Sequence, residues 1–448
     1  MKKTYWRIIL VMLVSGIAFN LWGNLYNTYM PIFLQAGNPT FDANLDNPSL
    51  GFGASPSLTS IIMSLDNISG FLFIPLIGIW ADRVRRRKPF ITIATPVFAV
   101  AIAAMPFVMR MITPATNGQF NLLILPFSLV TFCILLTLAA QLFDGIPSSA
   151  IYFAIVPSAD RSKFGSVNSV ISMVVGVGLM FASGILYQFD RTIPFLIVAG
   201  LLLLYWLLFV VLIKEPENTE YEKPKPEEHG IKFLFAGLKK FSTQEKKDLL
   251  YTCLCAFGLF ATSNIMVTFA SSYAVTVLGL EEGQTIQLLM TFQIGMILMV
   301  LPGGFLPSKI GRKTTMVIGA AIMIAVMLIL FFVNNFIVAM VGIALLGTGW
   351  IFINVNIMPF YSDIIDSNKK LGTVLGLTGV GSQLGAIVMV PIVGGLIEKS
   401  NNNYNLVWLI TCFTMAFGML MFFLVKGGEI RAAMPATAAE QMSELPAS

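Results

Sequence analysis

The sequence predicts an all-α membrane protein, with twelve transmembrane helices arranged as two related bundles of six. Three observations predict it. The 448-residue chain is 56% hydrophobic, with a mean hydropathy of +0.81. Only 11% of its residues are charged, against roughly 25% in soluble domains, which excludes a soluble core. A short basic loop also occurs twice, as Gly78-Ile-Trp-Ala-Asp82-Arg83-Val-Arg-Arg86-Arg87-Lys88 and as Gly304-Phe-Leu-Pro-Ser308-Lys309-Ile-Gly311-Arg312-Lys313, each copy between two long apolar segments.

A helix crossing a bilayer needs about 20 apolar residues, and each span follows from that length. The first, 7-34, comes after Met1-Lys2-Lys3. That opening imitates a signal peptide, but no small-residue cleavage site follows and eleven further spans do, so it reads as a retained helix. Spans 57-80 and 90-110 flank the first basic loop, and 127-157, 164-188 and 193-213 complete the first half. Spans 248-278 and 284-307 lead to the second basic loop, followed by 314-333, 337-362, 371-397 and 405-425. The longest of these must tilt, bend or protrude.

Residues 214-247 are the one long polar interruption, with Pro216, Pro224 and Pro226 and seven acidic residues, the last of them Glu245. The chain therefore divides into a six-helix unit 1-213, a linker 214-247, a second six-helix unit 248-426 and an Ala-rich tail 427-448, expected to be disordered. Within the linker, Ile231, Phe233, Leu234, Phe235, Leu238 and Phe241 interleave with Lys232, Lys239 and Lys240. This pattern suits either a helix at headgroup level or plain juxtamembrane chain.

Basic loops stay in the cytoplasm. With the N-terminus inside, 25 of the 28 Lys and Arg are cytoplasmic and only Arg110, Arg191 and Lys399 lie outside. Both termini are thus expected inside a plasma (inner) membrane. The net charge of +5 reports this topology and does not indicate a nucleic-acid partner. The loop 35-56 has Asp42, Asp46 and no basic residue, in keeping with an external position. Cys133, Cys253, Cys255 and Cys412 all fall within spans, so packing roles are expected in place of disulfides or a zinc site.

The repeat extends beyond the basic loops. With an offset of 244, Asn20, Asn24, Asn27, Thr28 and Tyr29 match Asn264, Thr268, Ser271, Ser272 and Tyr273 in the seventh span. With an offset of 207, Phe164-Gly165-Ser166-Val167 matches Leu371-Gly372-Thr373-Val374. Parallel halves of this kind place a substrate between them near the midplane.

Several residues could carry chemistry there. A carboxylate within a bilayer is a functional candidate by default, and Asp66 and Asp144 lie deep in the second and fourth spans with no comparably deep Lys, Arg or His. Each is then protonated, bound to a cation, or hydrogen-bonded inside the bundle. Asn20, Asn24 and Asn27 share one helix face, as do Asn264, Thr268 and Ser271, and the two stripes are expected to face each other across a cavity that binds a polyol. Helix-to-helix glue is the alternative for any one of them. Gln293, Trp350, Asn354, Asn356 and Gln383 are further candidates, and Asp363 and Asp366 close the tenth span. No nucleophile with a base, metal cluster or acid pair on a phosphate site occurs at suitable spacing. An enzyme, a cofactor and a resident metal are therefore not expected.

Twelve spans, a mid-chain linker and the doubled loop resemble the major facilitator superfamily over essentially the whole chain. The shared signature is Gly78, Asp82 four residues later, Arg83 and the basic cluster. More narrowly, Asp66-Asn67-Ile68, Pro75-Leu-Ile-Gly78, Ala81-Asp82-Arg83 and Arg87-Lys88-Pro89-Phe90-Ile91 resemble the sucrose-proton symporters and the glycoside-pentoside-hexuronide:cation symporters. Asp144-Gly-Ile-Pro147 is similar to the latter group. Departures are Arg85 where the superfamily usually has Gly, and Ser308 in place of Asp. The resemblance implies alternating access, a bound H+ or Na+ at Asp66 and Asp144, and a sugar or glycoside as substrate. It implies a cytoplasmic gate of Gly78, Asp82, Arg83, Arg86, Gly304, Lys309, Gly311 and Arg312, with Asp82 latched to the helix start near Gly372 and a weaker counterpart at Ser308. A monomer is expected. The rivals are an exporter of lipophilic compounds and a sensor built on a carrier scaffold.

Overall fold

A chain in lipid can satisfy its backbone N–H and C=O groups within one segment only as a helix, and the apolar runs form helices. The computed structural model describes residues 5-43, 50-83, 86-155, 174-187, 189-215, 241-363 and 371-426. The first half comprises α1 (Tyr5–Gln35), α2 (Pro56–Arg83), α3 (Lys88–Met109), α4 (Phe120–Ile155), α5 (Val174–Tyr187 as described) and α6 (Thr192–Leu212). The second comprises α7 (Thr243–Thr276), α8 (Glu282–Ile310), α9 (Arg312–Phe332), α10 (Phe336–Asp363), α11 (Leu371–Lys399) and α12 (Leu406–Leu424). One further helical turn, Pro39–Asp42, sits in the α1–α2 loop. Among the described residues, ten helices are long and apolar enough to cross a membrane. The expected linker helix and the tail lie almost wholly outside the described residues.

Two boundaries differ from the hydropathy reading. α4 starts at Phe120, with Pro126 accommodated inside it. α7 starts at Thr243, inside the expected linker, because Ser242 and Glu245 form a capping box. The Ser242 hydroxyl accepts the Glu245 N–H at 3.2 Å, and the Glu245 carboxylate accepts the Ser242 N–H at 2.6 Å. The box supplies acceptors for two N–H groups that the first turn leaves free.

Each half has its own core. Leu21, Trp22, Tyr29, Phe98 and Ile102 are buried together in the first, and Phe269, Tyr273, Met323, Trp408 and Phe422 in the second. The repeat reappears in how each half closes. Lys88, opening α3, donates to the Val210 and Ile213 carbonyls at 2.8 and 2.7 Å, at the end of α6. Lys313, at the start of α9, donates to the Val425 carbonyl at 2.9 Å, just after α12. An ammonium beside the carbonyl end of a helix is favourable for its dipole. These two members of the basic loops therefore fasten helix ends within their own halves.

The start of α1 at Tyr5, the end of α2 at Arg83 and the α8–α9 junction at Gly311 lie at one end of the bundle, called here the basic end; the end of α1 and the start of α2 lie at the far end. The halves meet where α2 packs on α11, and where α1 packs on α7 and α8. α5 also approaches α8, at Gly184 and Ile286. α2 and α11 approach closely at Gly394, where a Cβ would stand 2.7 Å from the Pro56 carbonyl and would collide with the Ser60 hydroxyl.

Candidate functional site

The structure places a cavity of about 250 Å³ between the halves, displaced towards the second. α1 contributes Asn24, Asn27 and Thr28, α7 contributes Ser263, and α8 contributes Gln293. Nearly all the rest of the wall is apolar and comes from α7 to α10 and α12, including Phe292, Met323, Trp350 and Trp408. The Gln293 amide donates to Asn24 Oδ1 at 3.4 Å, and the Asn24 amide donates to Asn20 Oδ1 at 3.4 Å. These are long, weak bonds, so the amides are available to a ligand. Trp350 is 7% exposed and is set edge to face with Phe260 at 6.0 Å.

Four of the nine candidate substrate residues, Asn24, Asn27, Gln293 and Trp350, line this cavity. Asn20 joins them through Asn24 and packs against Gly176 of α5. The second polar stripe goes elsewhere. Asn264 accepts a hydrogen bond from Asn67 of α2 at 3.2 Å and donates to the Phe260 carbonyl at 2.8 Å. Thr268 and Ser271 are buried outside the cavity lining. α7 turns Ser263, Met266, Val267 and Ala270 to the cavity instead, a face about one residue, or ~100°, away from the stripe. Asn354 is exposed, and Gln383 is half-buried. Asn356 is buried and ties α10 to the Gly303 carbonyl of α8 at 3.2 Å, so it serves as glue.

The two carboxylates occupy different settings. Asp144 is fully buried inside the first half. Its carboxylate accepts hydrogen bonds from Thr95 of α3 and from the Tyr205 hydroxyl of α6, the latter at 3.1 Å. Ser148, one turn on in α4, and Tyr152 stand beside it. Asp66 is exposed, lies beside Tyr26 of α1, and has no hydrogen-bond or ion-pair partner among the described residues. The structure gives the two acids no shared partner. A chain of aromatic contacts links their surroundings: Tyr205 meets Phe19 at 6.3 Å, Phe19 meets Phe98 at 5.5 Å, Phe98 meets Trp22 at 6.0 Å, and Trp22 meets Tyr26 at 5.5 Å.

Seven hydrogen bonds between described residues cross from one half to the other, and five lie at the far end. Gln35, buried at the end of α1, donates to Ser272 of α7 at 3.0 Å and accepts from the Tyr404 hydroxyl. Asn402 donates to Thr40, the Ser57 N–H donates to Glu398 at 3.3 Å, and Arg191 pairs with Glu282 at 3.1 Å. The remaining two are Asn67–Asn264 and Gln293–Asn24. Arg110 and Asp190 pair at 2.8 Å within the first half. There the Thr192 backbone N–H, at 2.8 Å, and then the Thr192 side chain and the Arg110 guanidinium hold the Asp190 carboxyl below the usual carboxylate range.

At the basic end, Arg86 and Lys309 are exposed and Arg312 is half-buried. Gly304 is exposed in α8, and Gly311 ends that helix at φ +88°, a left-handed conformation that favours glycine. Gly78, Asp82 and Arg83 belong to α2, but their side-chain surroundings lie outside the described residues, as do those of Ser308 and Gly372. The latch is therefore not visible here. Sequence reasoning passed over Thr95, Tyr205, Ser148, Gln35 and Tyr404. Tyr205, a lone phenol in Leu201-Leu-Leu-Leu-Tyr-Trp-Leu-Leu208, carried a usable signal, since a phenol in hydrocarbon needs a partner.

The profile of the Major Facilitator Superfamily matches residues 8-388 and, in a second overlapping match, 285-441. No curated protein matches the chain. Among solved structures, the chain is similar to a nucleoside transporter, NupG, at 18% identity and a TM-score of 0.60, with 95% of this chain and 99% of that one covered. It is similar to a D-xylose-proton symporter at 15% identity and a TM-score of 0.66, covering 95% and 98%. A bacterial homologue of the iron transporter ferroportin, in an inward-facing state, aligns at 11% identity and a TM-score of 0.69, covering 95% and 99%.

Proposed function

The chain belongs to the major facilitator superfamily, and from that premise we propose that it is a secondary active transporter that couples H+ or Na+ to the symport of a sugar or glycoside. One observation carries the reading: an inter-half cavity edged by uncharged amides and hydroxyls coexists with a separate, fully buried carboxylate, Asp144, whose partners among the described residues are hydroxyl donors. The amides provide donors and acceptors for a polyol. Asp144 is the group at which the cation binds, and Asp66, exposed beside Tyr26, is the site through which the cation reaches it. The D-xylose-proton symporter, which shares the fold, pairs a sugar with a proton, as its name states.

With both termini in the cytoplasm, the basic end faces inward and the far end faces out. The five far-end hydrogen bonds then represent the outward gate in its closed state. Alternating access follows if substrate and cation bind the two gate states with different affinity, since a ligand shifts an equilibrium only through that difference. The protein is read as a monomer in the plasma (inner) membrane.

The test is uptake into proteoliposomes of labelled mono- and disaccharides and glycosides under separate proton and sodium gradients. Accumulation under one gradient, abolished by dissipating it, is expected. A second reading, export of lipophilic compounds, draws on the mainly apolar wall around Trp350, Trp408, Phe292 and Met323. Extrusion of a lipophilic dye from inverted vesicles, with no accumulation of any sugar or glycoside, would replace the first reading with the second.

A further inference from the structure

The cavity has two unlike walls, and this restricts what can occupy it. Three of its five polar side chains, Asn24, Asn27 and Thr28, come from α1, and a fourth, Gln293, reaches Asn24 at 3.4 Å. Across from them, α9, α10 and α12 contribute Met323, Ile343, Leu346, Trp350 and Trp408, a wall that is apolar except for the indole N–H groups, of which Trp408 Nε1 has no hydrogen-bond partner among the described residues. Among the described residues, no lining side chain is ionisable. A carboxylate, phosphate or ammonium buried there would lose its water without gaining a counter-charge, which is strongly unfavourable. A free sugar carries hydroxyls around its whole ring, and of those facing the tryptophan wall at most one or two could accept from an indole N–H, leaving the others buried without partners. A wholly apolar compound would strip water from the amides and leave them unpaired. A molecule that satisfies both walls has hydroxyls at one end and a flat apolar ring at the other, the ring against an aromatic surface.

Resting on the transport reading, we infer that the substrate is a neutral polyol joined to an aromatic or heteroaromatic ring, its hydroxyls on Asn24, Asn27 and Gln293 and its ring on the Trp350 side. An aryl glycoside and a nucleoside share this chemistry. Trp350 sets specificity for the ring, and Asn24 anchors the polyol that all such substrates have in common.

The experiment uses the full-length protein in proteoliposomes and measures binding of radiolabelled phenyl β-D-glucopyranoside. Competitors are unlabelled D-glucose, phenyl β-D-glucuronide at neutral pH, and uridine. Phenyl glucoside is expected to compete at least tenfold better than glucose, and the charged glucuronide to fail. Uridine competing as well as or better than phenyl glucoside points to the heteroaromatic source of the same chemistry; uridine failing points to the aryl glycoside. Trp350→Ala should weaken phenyl glucoside about tenfold while changing glucose competition less than twofold, and Asn24→Ala should weaken both. Trp350→Phe, which keeps an aromatic face, should restore most of the affinity and controls for folding. Glucose competing as well as phenyl glucoside, or Trp350→Ala and Trp350→Phe weakening both ligands equally, overturns the inference. The two readings separate cleanly. Gradient-driven uptake of glucose with no binding of phenyl glucoside or uridine refutes the ring requirement and leaves symport standing. Binding of phenyl glucoside with no accumulation under any gradient does the reverse.

Discussion

Gln35 is the point at which the closed far end can be weakened with the least damage to either half. Its side chain is buried and joins α1 to two elements of the other half, donating to Ser272 at 3.0 Å and accepting from Tyr404. Gln35→Leu keeps the volume and removes both bonds. Each is worth about 0.5–1.5 kcal/mol net, and a buried partner left unpaired costs about 1–3 kcal/mol. Tyr404 and Ser272 lie close enough to turn to each other, which recovers part of the loss. The closed state should therefore be destabilised by about 1–2 kcal/mol. With the far end open, water solvates these groups whichever residue is present, so little offsets the change. That difference is roughly a five- to thirtyfold change in population. Spin labels at Thr113 and Asn401, exposed far-end positions on opposite halves, report it as a longer-distance component in pulsed dipolar spectra. An unchanged distance distribution in a folded Gln35→Leu protein would refute the idea that these bonds hold the gate.

Asp144→Asn should abolish gradient-driven accumulation while leaving substrate exchange intact; undiminished accumulation would remove Asp144 from the coupling mechanism. Cysteine placed at Asn24 or Asn27 should react with a small thiol reagent and be protected by substrate, whereas at Thr268, buried outside the cavity lining, it should stay inert; substrate-protected labelling at Thr268 would show that the cavity has been misassigned. Gly394→Leu should drive α2 and α11 apart at the far end and lengthen the same label distance, and unaltered spectra would mean the Gly394 contact is not limiting. Asp190, its carboxyl held below the usual range mainly by Thr192, contributes stability above the unfolded-state value of about 3.9, which is lost as pH falls through the lower folded-state value. Asp190→Asn should accordingly lower the unfolding temperature slightly at pH 7, and by progressively less as pH falls below about 3.9 towards the lower folded-state value. A drop that stays the same across that acid range would assign the effect to something other than this carboxylate.

The helices were readable because lipid imposes one rule over about 20 residues, and that rule leaves its mark in local composition. Their ends were less readable, since caps override hydropathy: Ser242 and Glu245 start α7 before the apolar run begins, although Ser-x-x-Glu is itself a visible signal. Site residues divide in a similar way. Helical periodicity grouped Asn20, Asn24 and Asn27 correctly on one face of α1. It cannot say which neighbour that face meets, and in α7 a rotation of about 100° decides whether Asn264 or Ser263 sees the cavity. The setting of Asp144 was out of reach for a different reason. Thr95 and Tyr205 come from helices 49 and 61 residues away, and only packing brings them together.

α1 touches both chemistries through consecutive residues. Phe19 leans on Tyr205, the Asp144 partner, while Asn20 belongs to the amide set that reaches Gln293 through Asn24. On the proposed reading, the ion-handling group resides in one half, while most of the described cavity lining comes from the other. Heritable variation in α9, α10 and α12 can therefore change what is carried without rewriting how the carriage is powered, and the Phe19-Asn20 pair is where such drift would be constrained most tightly. A laboratory lineage selected for a new solute should collect its substitutions on the second half and leave that dipeptide alone.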